Sequence, residues 1–428
     1  MMRDVEGVIE RMGGQGHGVL DRDGERFYVP FTVPGDRIAA KVGEKRGDGF
    51  AASLSVLEAE GPDRVEAPCP HFQSCGGCTL QHWSDMAYRA WKRDKLAAAL
   101  ARREIHDVTI GDLLPVPDSS RRRAEFITRR VKDKVLAGFH EAQSRKIVDL
   151  QECLVLKPEL LALLPQLRAM MLPVLGDGWA VDLKVTVTET GADVLITGKL
   201  KMRVQERIEL SKAAKATGLA RLSARFDERS DPELLYQGAE PPRVRFGNTA
   251  VTLAPGGFLQ ATAEAEQAMA DIALDALQDA KRVADLFSGC GAFALRLAEA
   301  GKTVWAVDAD RPAIAALTAA ARSANVSRLT ATARDLERQP LARNELKKLD
   351  AVLLDPPRAG AKAQVQQIAE TAKTGEAPGL IVMASCDPSS FARDARVLLD
   401  AGYRIEKAVP IDQFRWSPHL EIVSVFRR

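Results

Sequence analysis

A chain of 428 residues exceeds what one ordinary hydrophobic core organises, so two or three domains are expected. Its 46% apolar content is that of a globular protein, not a disordered one, and no apolar run approaches the roughly 20 residues that a bilayer-spanning helix needs. The formal charge of +2 averages over local clusters, so it neither supports nor excludes a polyanionic partner.

The first residues are polar and glycine-rich, without the apolar stretch of a secretory signal. A cytosolic protein with no membrane partner is expected, and there cysteines stay reduced. The six cysteines then point to metal binding or catalysis instead of disulfides.

Residues 1–58 read as a small β-barrel. Short strand-like segments at 5–11, 18–20, 25–29, 37–44 and 50–57 alternate with Gly, Asp and Pro turns, among them Pro34-Gly35-Asp36. This suits a five-stranded barrel of the oligonucleotide-binding kind. The segment holds more acids than bases, so an RNA role for it rests on fold analogy, and a plain adaptor barrel stays open.

Residues 59–244 read as an α+β domain. Cys69, Cys75 and Cys78 fall within ten residues, and Gly76-Gly77 inside the last pair lets the backbone fold tightly. Cys153 is the remaining cysteine of this half. Four thiolates suit an iron–sulfur cluster or a structural zinc, and in a zinc site His71 or His82 could replace one of them. The spacing is not the C-x3-C-x2-C of radical enzymes. Residues 84–104 read as a helix with Ser84 as N-cap and with Arg89, Lys92, Arg93, Lys95, Arg102 and Arg103 outside its apolar positions. Further bases follow at Arg121-Arg122-Arg123, Arg129, Arg130, Lys132 and Lys134, and again at Lys199, Lys201, Arg203 and Arg207. Such runs are usually solvated faces; three in one region also fit a surface for a polyanion.

From 245 to 428 the pattern becomes repeated βα units, expected to form a Rossmann-like sheet. A strand at 282–287 leads into the glycine turn Ser288-Gly289-Cys290-Gly291 and a helix at 292–300. A second strand ends at Asp308, where an acid can meet a ribose. Two glycines without a third make a poor dinucleotide fingerprint, which disfavours an oxidoreductase. S-adenosylmethionine needs no pyrophosphate cradle and fits better. A third strand leads to Asp335, a fourth to Asp355-Pro356-Pro357-Arg358, and a fifth, 379–383, to Cys386. Strands near 403–409 and 422–426 finish the sheet.

Each strand thus brings a polar group to one edge: Asp285, Asp308, Asp335, Asp355 and Cys386. Singly, an acid there can be a cap or turn residue, and a lone thiol can be small core filler. Five in register fit a ligand site. An acid followed by two prolines points to methyl transfer to a nucleobase, and Arg358 in place of an aromatic argues against an exocyclic amine as target.

These residues carry a resemblance. The chain resembles the bacterial RNA uracil-C5 methyltransferases, in particular the subgroup with an N-terminal TRAM barrel and an iron–sulfur cluster that acts on 23S ribosomal RNA. The likeness covers nearly the whole chain. It rests on Cys69, Cys75-Gly76-Gly77-Cys78 and Cys153, on Asp285-Leu286-Phe287 with Gly289 and Gly291, and on Asp355-Pro356-Pro357-Arg358. Ser385-Cys386-Asp387-Pro388, Ala254-Pro255-Gly256-Gly257-Phe258-Leu259-Gln260 and Pro418-His419-Leu420-Glu421 complete it. The resemblance implies a multidomain α/β protein with a class I methyltransferase sheet, working as a monomer. It implies Cys386 as nucleophile and Glu421 as general base. Gln260, Phe287, Asp308 and Asp335 would line the cofactor, and Asp355 would lie between cofactor and uracil. The four cysteines would hold a 4Fe-4S cluster, with zinc the lesser alternative.

The chemistry needs those residue types. Carbon 5 of uracil attacks a methyl sulfonium only weakly. A thiolate added at carbon 6 makes it an enolate carbon, and a base must then remove the carbon 5 proton. A uridine in folded RNA must also be unstacked to reach the pocket. His419 reads as a packing or orienting residue. The chain departs from the family pattern at Ser288, often Cys, at Ala292, often Asn, and at Arg415 and Trp416, usually Pro and Gln. Two rivals remain: the same chemistry on transfer RNA, whose branch is expected to lack the barrel and the cysteines, and an inactive RNA-binding protein, disfavoured by Cys386 and Glu421.

Overall fold

The computed structural model describes residues 3–142, 144–200, 202–227 and 230–428. Strands β1 (Asp4–Val8), β2 (Arg11–Met12), β3 (Gly18–Arg22), β4 (Glu25–Val29), β5 (Arg37–Arg46) and β6 (Gly49–Ala59) form one sheet in the order β1-β5-β6-β4-β3-β2. β1 and β2 stand at its two ends, yet only Ile9 and Glu10 separate them in sequence. The Glu10 N–H reaches the Val19 carbonyl at 2.9 Å, so one bent strand serves both edges and the sheet closes on itself. Val5, Leu20, Phe27, Val29 and Ile38 fill its interior. Closure leaves no bare edge for another chain to pair with. Asp36 of the Pro34-Gly35-Asp36 turn is buried, and its carboxylate accepts from the Val33 and Gly61 N–H groups (2.7 and 2.9 Å) and from Arg64 Nε (2.9 Å).

Helix α1 (Asp85–Ala101) begins at Ser84, whose Oγ accepts the Ala87 N–H at 3.4 Å. Its surroundings differ from the expectation. Leu96, Ala99 and Leu100 are buried in the core of the C-terminal sheet, not of the middle one. The chain beyond the helix also runs along that sheet, where Gly111 and Leu114 donate to Ala408 and Pro410 (both 2.9 Å). Lys92, read as a charge outside the apolar positions, lies in the buried stripe with Tyr88 and Leu96. Asp412, 320 residues away, neutralises it there.

Strands β7 (Arg123–Val131), β8 (Lys134–His140), β9 (Ile147–Asp149), β10 (Ala180–Thr188), β11 (Gly191–Thr197), β12 (Arg221–Arg225) and β13 (Glu233–Gln237) form the middle sheet, ordered β13-β12-β11-β10-β7-β8-β9. Helices α2 (Pro158–Met171) and α3 (Val204–Thr217) pack on it, burying Leu160, Leu164, Leu167 and Leu210 with Phe126, Leu183 and Val194. The basic groups expected on its surface are partly spent inside. Arg122 is buried and paired with Glu266 at 2.6 Å, and Arg130 Nη1 caps the carbonyls of Leu172 and Leu175 (3.0 and 2.9 Å). Arg203 and Arg207 pair with Glu206 and Glu233 (2.6 and 2.9 Å). Lys132, Lys134 and Lys199 are exposed, and Lys201 lies outside the described residues.

A hairpin of β14 (Arg243–Phe246) and β15 (Thr249–Thr252) leads into the third sheet. Helix α4 (Ala263–Ala276) precedes it. The strands are β16 (Arg282–Leu286), β17 (Thr303–Asp308), β18 (Leu329–Ala333), β19 (Ala351–Leu354), β20 (Leu380–Ser385), β21 (Arg404–Ile411) and β22 (Glu421–Arg427). Their order is β18-β17-β16-β19-β20-β22-β21, with β16 to β20 parallel and β22 antiparallel to both neighbours. Right-handed crossovers demand helices on both faces, and α5 (Ala294–Glu299), α6 (Arg311–Ser323), α7 (Arg343–Leu346), α8 (Lys362–Ala372) and α9 (Pro388–Asp400) provide them. Two buried clusters flank the sheet, one around Met269, Val283, Leu295 and Val382, the other around Leu286, Leu354, Ile381 and Phe426. The strand order reverses between β16 and β19, and in such sheets the crevice beyond the carboxyl ends at that point takes the ligand.

Candidate active site at the carboxyl edge of the third sheet

The crevice receives what the strand ends deliver. Asp308 closes β17, Asp355 follows β19 directly, and Cys386 follows β20 directly. Asp285 sits one residue before the end of β16, fully buried, with no hydrogen-bond partner on either carboxylate oxygen. Ser288 Oγ, three residues on, is also buried and unpartnered. Between them Phe287 takes a left-handed backbone at φ 63° while its N–H donates to Val307 (2.8 Å), a strained geometry of the kind kept at ligand sites. Gly289 (φ 52°) would carry a Cβ into open space, whereas at Gly291 (φ 97°) a Cβ would stand 2.4 Å from Leu317 Cδ1. The first glycine leaves room beside the crevice, and the second lets the loop lie on α6.

Asp308 steadies this loop. Its carboxylate accepts the Gly289 N–H at 2.8 Å and the Asp310 N–H at 2.7 Å. Asp335 is exposed at the rim and is held in a local turn, accepting the Glu337 and Arg338 N–H groups (3.0 and 3.2 Å). Of the acids read from the sequence it is the least drawn into the crevice.

Gln260, Asp355 and Glu421 meet in one hydrogen-bonded chain. Gln260 Nε2 donates to Asp355 Oδ2 at 3.0 Å. Gln413 Nε2 donates to Gln260 Oε1 and to Glu421 Oε2, both at 2.9 Å. Gln413 was not read from the sequence as a functional residue. Its signal was weak: a polar residue in an irregular stretch, eight positions before the acid it bonds.

The charges of this group act on one another. Burial first, then Asp355, raises Glu421 well above the ordinary carboxylate range, and the Gln413 hydrogen bond opposes this. Burial also pushes Asp355 up to about 7, helped by the fields of Glu266 and Asp308 and opposed by Gln260. Asp285 is raised well above its usual value by burial and by Asp355. The Cys386 thiol, half-buried, is pushed up to about 11 by burial, then by Glu421 and Asp355, while Arg358 pulls it down. Arg358 Nη2 donates to His419 Nδ1 at 2.8 Å, and burial with the Arg358 charge lowers that imidazole to about 4, so it is neutral at physiological pH.

The four cysteines of the first half are gathered in one neighbourhood. Burial pushes Cys78 up to about 12, and Cys153, Cys75 and Cys69 add to this. Cys75 and Cys153 are raised for the same reasons. Arg121 donates from Nε to the Arg123 carbonyl at 3.1 Å; burial lowers it, and the fields of Cys153 and Cys78 oppose this. All four are free thiols, and among the described residues no group of three or more Cys, His, Asp or Glu is arranged to hold a metal ion. His82 stacks near Phe72, with centroids 5.2 Å apart, and burial lowers it to about 4.

The strand order, the glycine loop with an acid at the end of the next strand, and the thiol beside an acid-Pro-Pro turn define a class I methyltransferase. The profile of the tRNA (uracil-5-)-methyltransferase family matches residues 247–428. An uncharacterized RNA methyltransferase of Mesorhizobium japonicum is 41% identical over 98% of this chain and 97% of its own. The 23S rRNA (uracil(1939)-C(5))-methyltransferase RlmD of Halomonas elongata is 34% identical over 97% of this chain and 87% of its own. Among solved structures, the tRNA (uracil-54, C5)-methyltransferase of Pyrococcus abyssi, in complex with S-adenosyl-L-homocysteine, superposes with a TM-score of 0.78 at 25% identity, covering 99% of this chain and 100% of its own. The chain belongs to the RNA uracil-C5 methyltransferase family, whose members use S-adenosylmethionine.

Proposed function

We propose that the protein methylates carbon 5 of a uridine in 23S ribosomal RNA through a covalent adduct between Cys386 and the base, with Glu421 as the base that completes the reaction. The observation that carries this reading is the coupling of the Cys386 thiol to Glu421 and Asp355, beside a crevice holding unpartnered buried polar atoms. Those atoms, the open space at Gly289 and the acid at Asp308 fit S-adenosylmethionine. Phe287, Asp308, Asp335, Gln260 and Asp355 would hold it, and when bound it supplies an electrophilic methyl carbon.

Cys386 Sγ forms a bond to carbon 6 of the uracil. The carbon 5–carbon 6 electron pair moves onto the carbon 4 carbonyl as an enolate, and carbon 5 takes the methyl group. Burial holds the thiol protonated at neutral pH, so its proton passes to Asp355, whose carboxyl at about 7 is partly ionised there, and Glu421 stays free for the carbon 5 proton. Glu421 then removes the carbon 5 proton, the double bond re-forms, and the sulfur–carbon bond breaks. A raised carboxylate is a strong acceptor once ionised.

The same reading divides the chain into a TRAM-type barrel at 1–58, a middle domain at 59–244 and the methyltransferase at 245–428, with α1 fastened to the last. It makes the protein a cytoplasmic monomer. Four thiols in one neighbourhood are a donor set that suits a 4Fe-4S cluster, and a four-cysteine zinc site is the lesser alternative, although their side chains are not arranged as a closed metal site in this structure. Cys69, Cys75, Cys78 and Cys153 would hold the cluster, losing their protons, and it would cross-link the loop at 69–78 to Cys153.

Transfer RNA remains the second reading for a specific reason. The Pyrococcus abyssi enzyme, named for tRNA, is matched over its full length, so the N-terminal parts do not separate the two substrates. The stronger sequence likeness to the Halomonas elongata enzyme favours 23S rRNA. The test offers 5-fluorouridine-containing 23S rRNA fragments and transfer RNA with S-adenosylmethionine. Fluorine blocks proton removal, so a denaturation-resistant adduct is expected with the rRNA and not with Cys386→Ser. An adduct with tRNA alone reassigns the substrate, and no adduct with any RNA removes the mechanism.

A further inference from the structure

The mechanism leaves one buried amide without a role. Gln413 is 2% exposed and stands between the two carboxylates of the crevice. Its Oε1 accepts the backbone N–H of Ala261 at 2.8 Å. A backbone N–H can only donate, so that bond fixes which way the amide points. Both hydrogens of Nε2 then face the other way, and both are used: one on Gln260 Oε1, one on Glu421 Oε2, each at 2.9 Å. Gln260 is oriented in turn. With its oxygen accepting from Gln413, its Nε2 faces Asp355 Oδ2 at 3.0 Å. The chain has one polarity, set by Ala261, and each end presents a donor to a carboxylate oxygen.

We propose that Gln413 is a positioning residue for the general base: it holds Glu421 Oε2 by a donated hydrogen bond, leaving Oε1 to take the carbon 5 proton, and couples Glu421 to Asp355 through Gln260. The inference rests on the reading of Glu421 as that base. Two consequences follow. A donor fixed on Oε2 favours the ionised carboxyl, so Gln413 offsets part of the burial that would keep Glu421 protonated. A fixed Oε2 also restricts rotation of the carboxyl, which a proton transfer at hydrogen-bond distance requires.

The other charges near Glu421 come from every neighbouring element. Asp355, after β19, raises it, and Cys386, after β20, shares its field. On α4, Glu266 is neutralised by Arg122 and Arg296 (2.6 and 3.3 Å) and faces Asp355. On the α1 side, Lys92 neutralises Asp412 next to Gln413. Among the described residues none of these donates to Glu421, and Gln413 does.

Gln413→Met keeps the length of the side chain and removes the amide. The experiment follows methyl transfer to uridine-containing 23S rRNA fragment against pH, and adduct formation with the 5-fluorouridine fragment. For Gln413→Met the expected result is a kcat near pH 7 lower by about tenfold, with an acid limb moved upward by about one pH unit. The RNA KM stays within about twofold, because Gln413 is not expected to touch RNA. Adduct with ordinary uridine RNA accumulates, because proton removal and release of the sulfur are slowed while attack is not. An unchanged acid limb with no accumulated adduct overturns the inference. If Gln413→Met loses the fluorouridine adduct as well, Gln413→Glu, of the same shape, decides: an acid limb moved upward supports the role, an unmoved one ends it. Failure of the parent protein to form any fluorouridine adduct is a separate outcome, and sinks the reading of Cys386 and Glu421 instead.

Discussion

Trp416 and Leu80 are joined backbone to backbone: the Trp416 carbonyl accepts the Leu80 N–H at 3.1 Å and, beside it, the Thr79 N–H at 2.9 Å. Trp416 holds a left-handed φ of 55°, unfavourable for a bulky residue. Its own N–H donates to the Tyr88 hydroxyl at 2.9 Å, and Tyr88 bonds Asp412 Oδ2 at 2.9 Å. The segment 412–419, which leads to Glu421, is therefore held in shape by the residues next to Cys78 on one side and by α1 on the other.

That junction predicts a link from the cysteine site to the active site. If the cysteines hold the proposed metal group, Cys78→Ser, or treatment with a chelator, should loosen the Thr79 and Leu80 donors and free the strained Trp416. Limited proteolysis should then cut within 412–419 several-fold faster, with reduced methyl transfer alongside. Equal protection of that segment with and without the group would show that the cysteines serve only their own domain.

Lys92 and Asp412 give a stability prediction. Both are buried, and Lys92 Nζ also donates to the Phe414 carbonyl at 3.1 Å. Removing one partner strands a buried charge, which costs about 3–5 kcal/mol. Lys92→Met and Asp412→Leu should each destabilise the protein by that order in urea unfolding, whereas the double variant should recover much of the loss. A double variant as unstable as the sum of the singles would mean that the ion pair is not the main interaction there.

What was legible in the sequence follows how far the cause of each feature reaches. The third sheet could be read because strand, turn and edge residue are adjacent: Asp308, Asp355 and Cys386 fall at strand ends for local reasons. The closed first sheet was legible from its turns, except that its first strand is bent at Ile9 to serve two edges. Two members of the basic runs are not surface charges, because their partners are remote. Arg122 meets Glu266 144 residues away, and Lys92 meets Asp412 across 320. A signal for Lys92 did exist, since it occupies a position in the Tyr88, Leu96, Ala99, Leu100 stripe where an apolar residue belongs. Glu421 came from resemblance alone. Gln413 became visible only with the backbone N–H of Ala261 in place.

The raised acids predict a pH-dependent stability. Asp355 has a folded value of about 7 against 3.8 when unfolded, so the folded state holds its proton more tightly. Its stabilisation is complete below about pH 4 and is lost as pH rises through about 7. Between pH 5 and 8 the melting temperature of the ligand-free protein should fall, and Asp355→Asn, which cannot ionise, should flatten that part of the slope. A parent melting temperature that rises across this interval, with Asp355→Asn behaving identically, would contradict the assignment.

The last prediction concerns activation of the thiol. Burial, Glu421 and Asp355 all hold Cys386 protonated, and Arg358 is the group that pulls it the other way. Arg358 is exposed and bonded to His419 at 2.8 Å, so its charge is fixed in place but screened by water. Arg358→Ala should slow formation of the fluorouridine adduct by less than about tenfold, the effect of one pH unit. The loss should shrink as pH is raised and the thiolate forms without help. Arg358→Lys should restore part of the rate, because a point charge replaces the field but not the planar contact with His419. RNA affinity, measured separately by filter binding, distinguishes a lost phosphate contact from a lost effect on sulfur. If the Arg358→Ala rate is reduced equally at every pH and binding is reduced to match, Arg358 holds RNA and Cys386 is activated by other means.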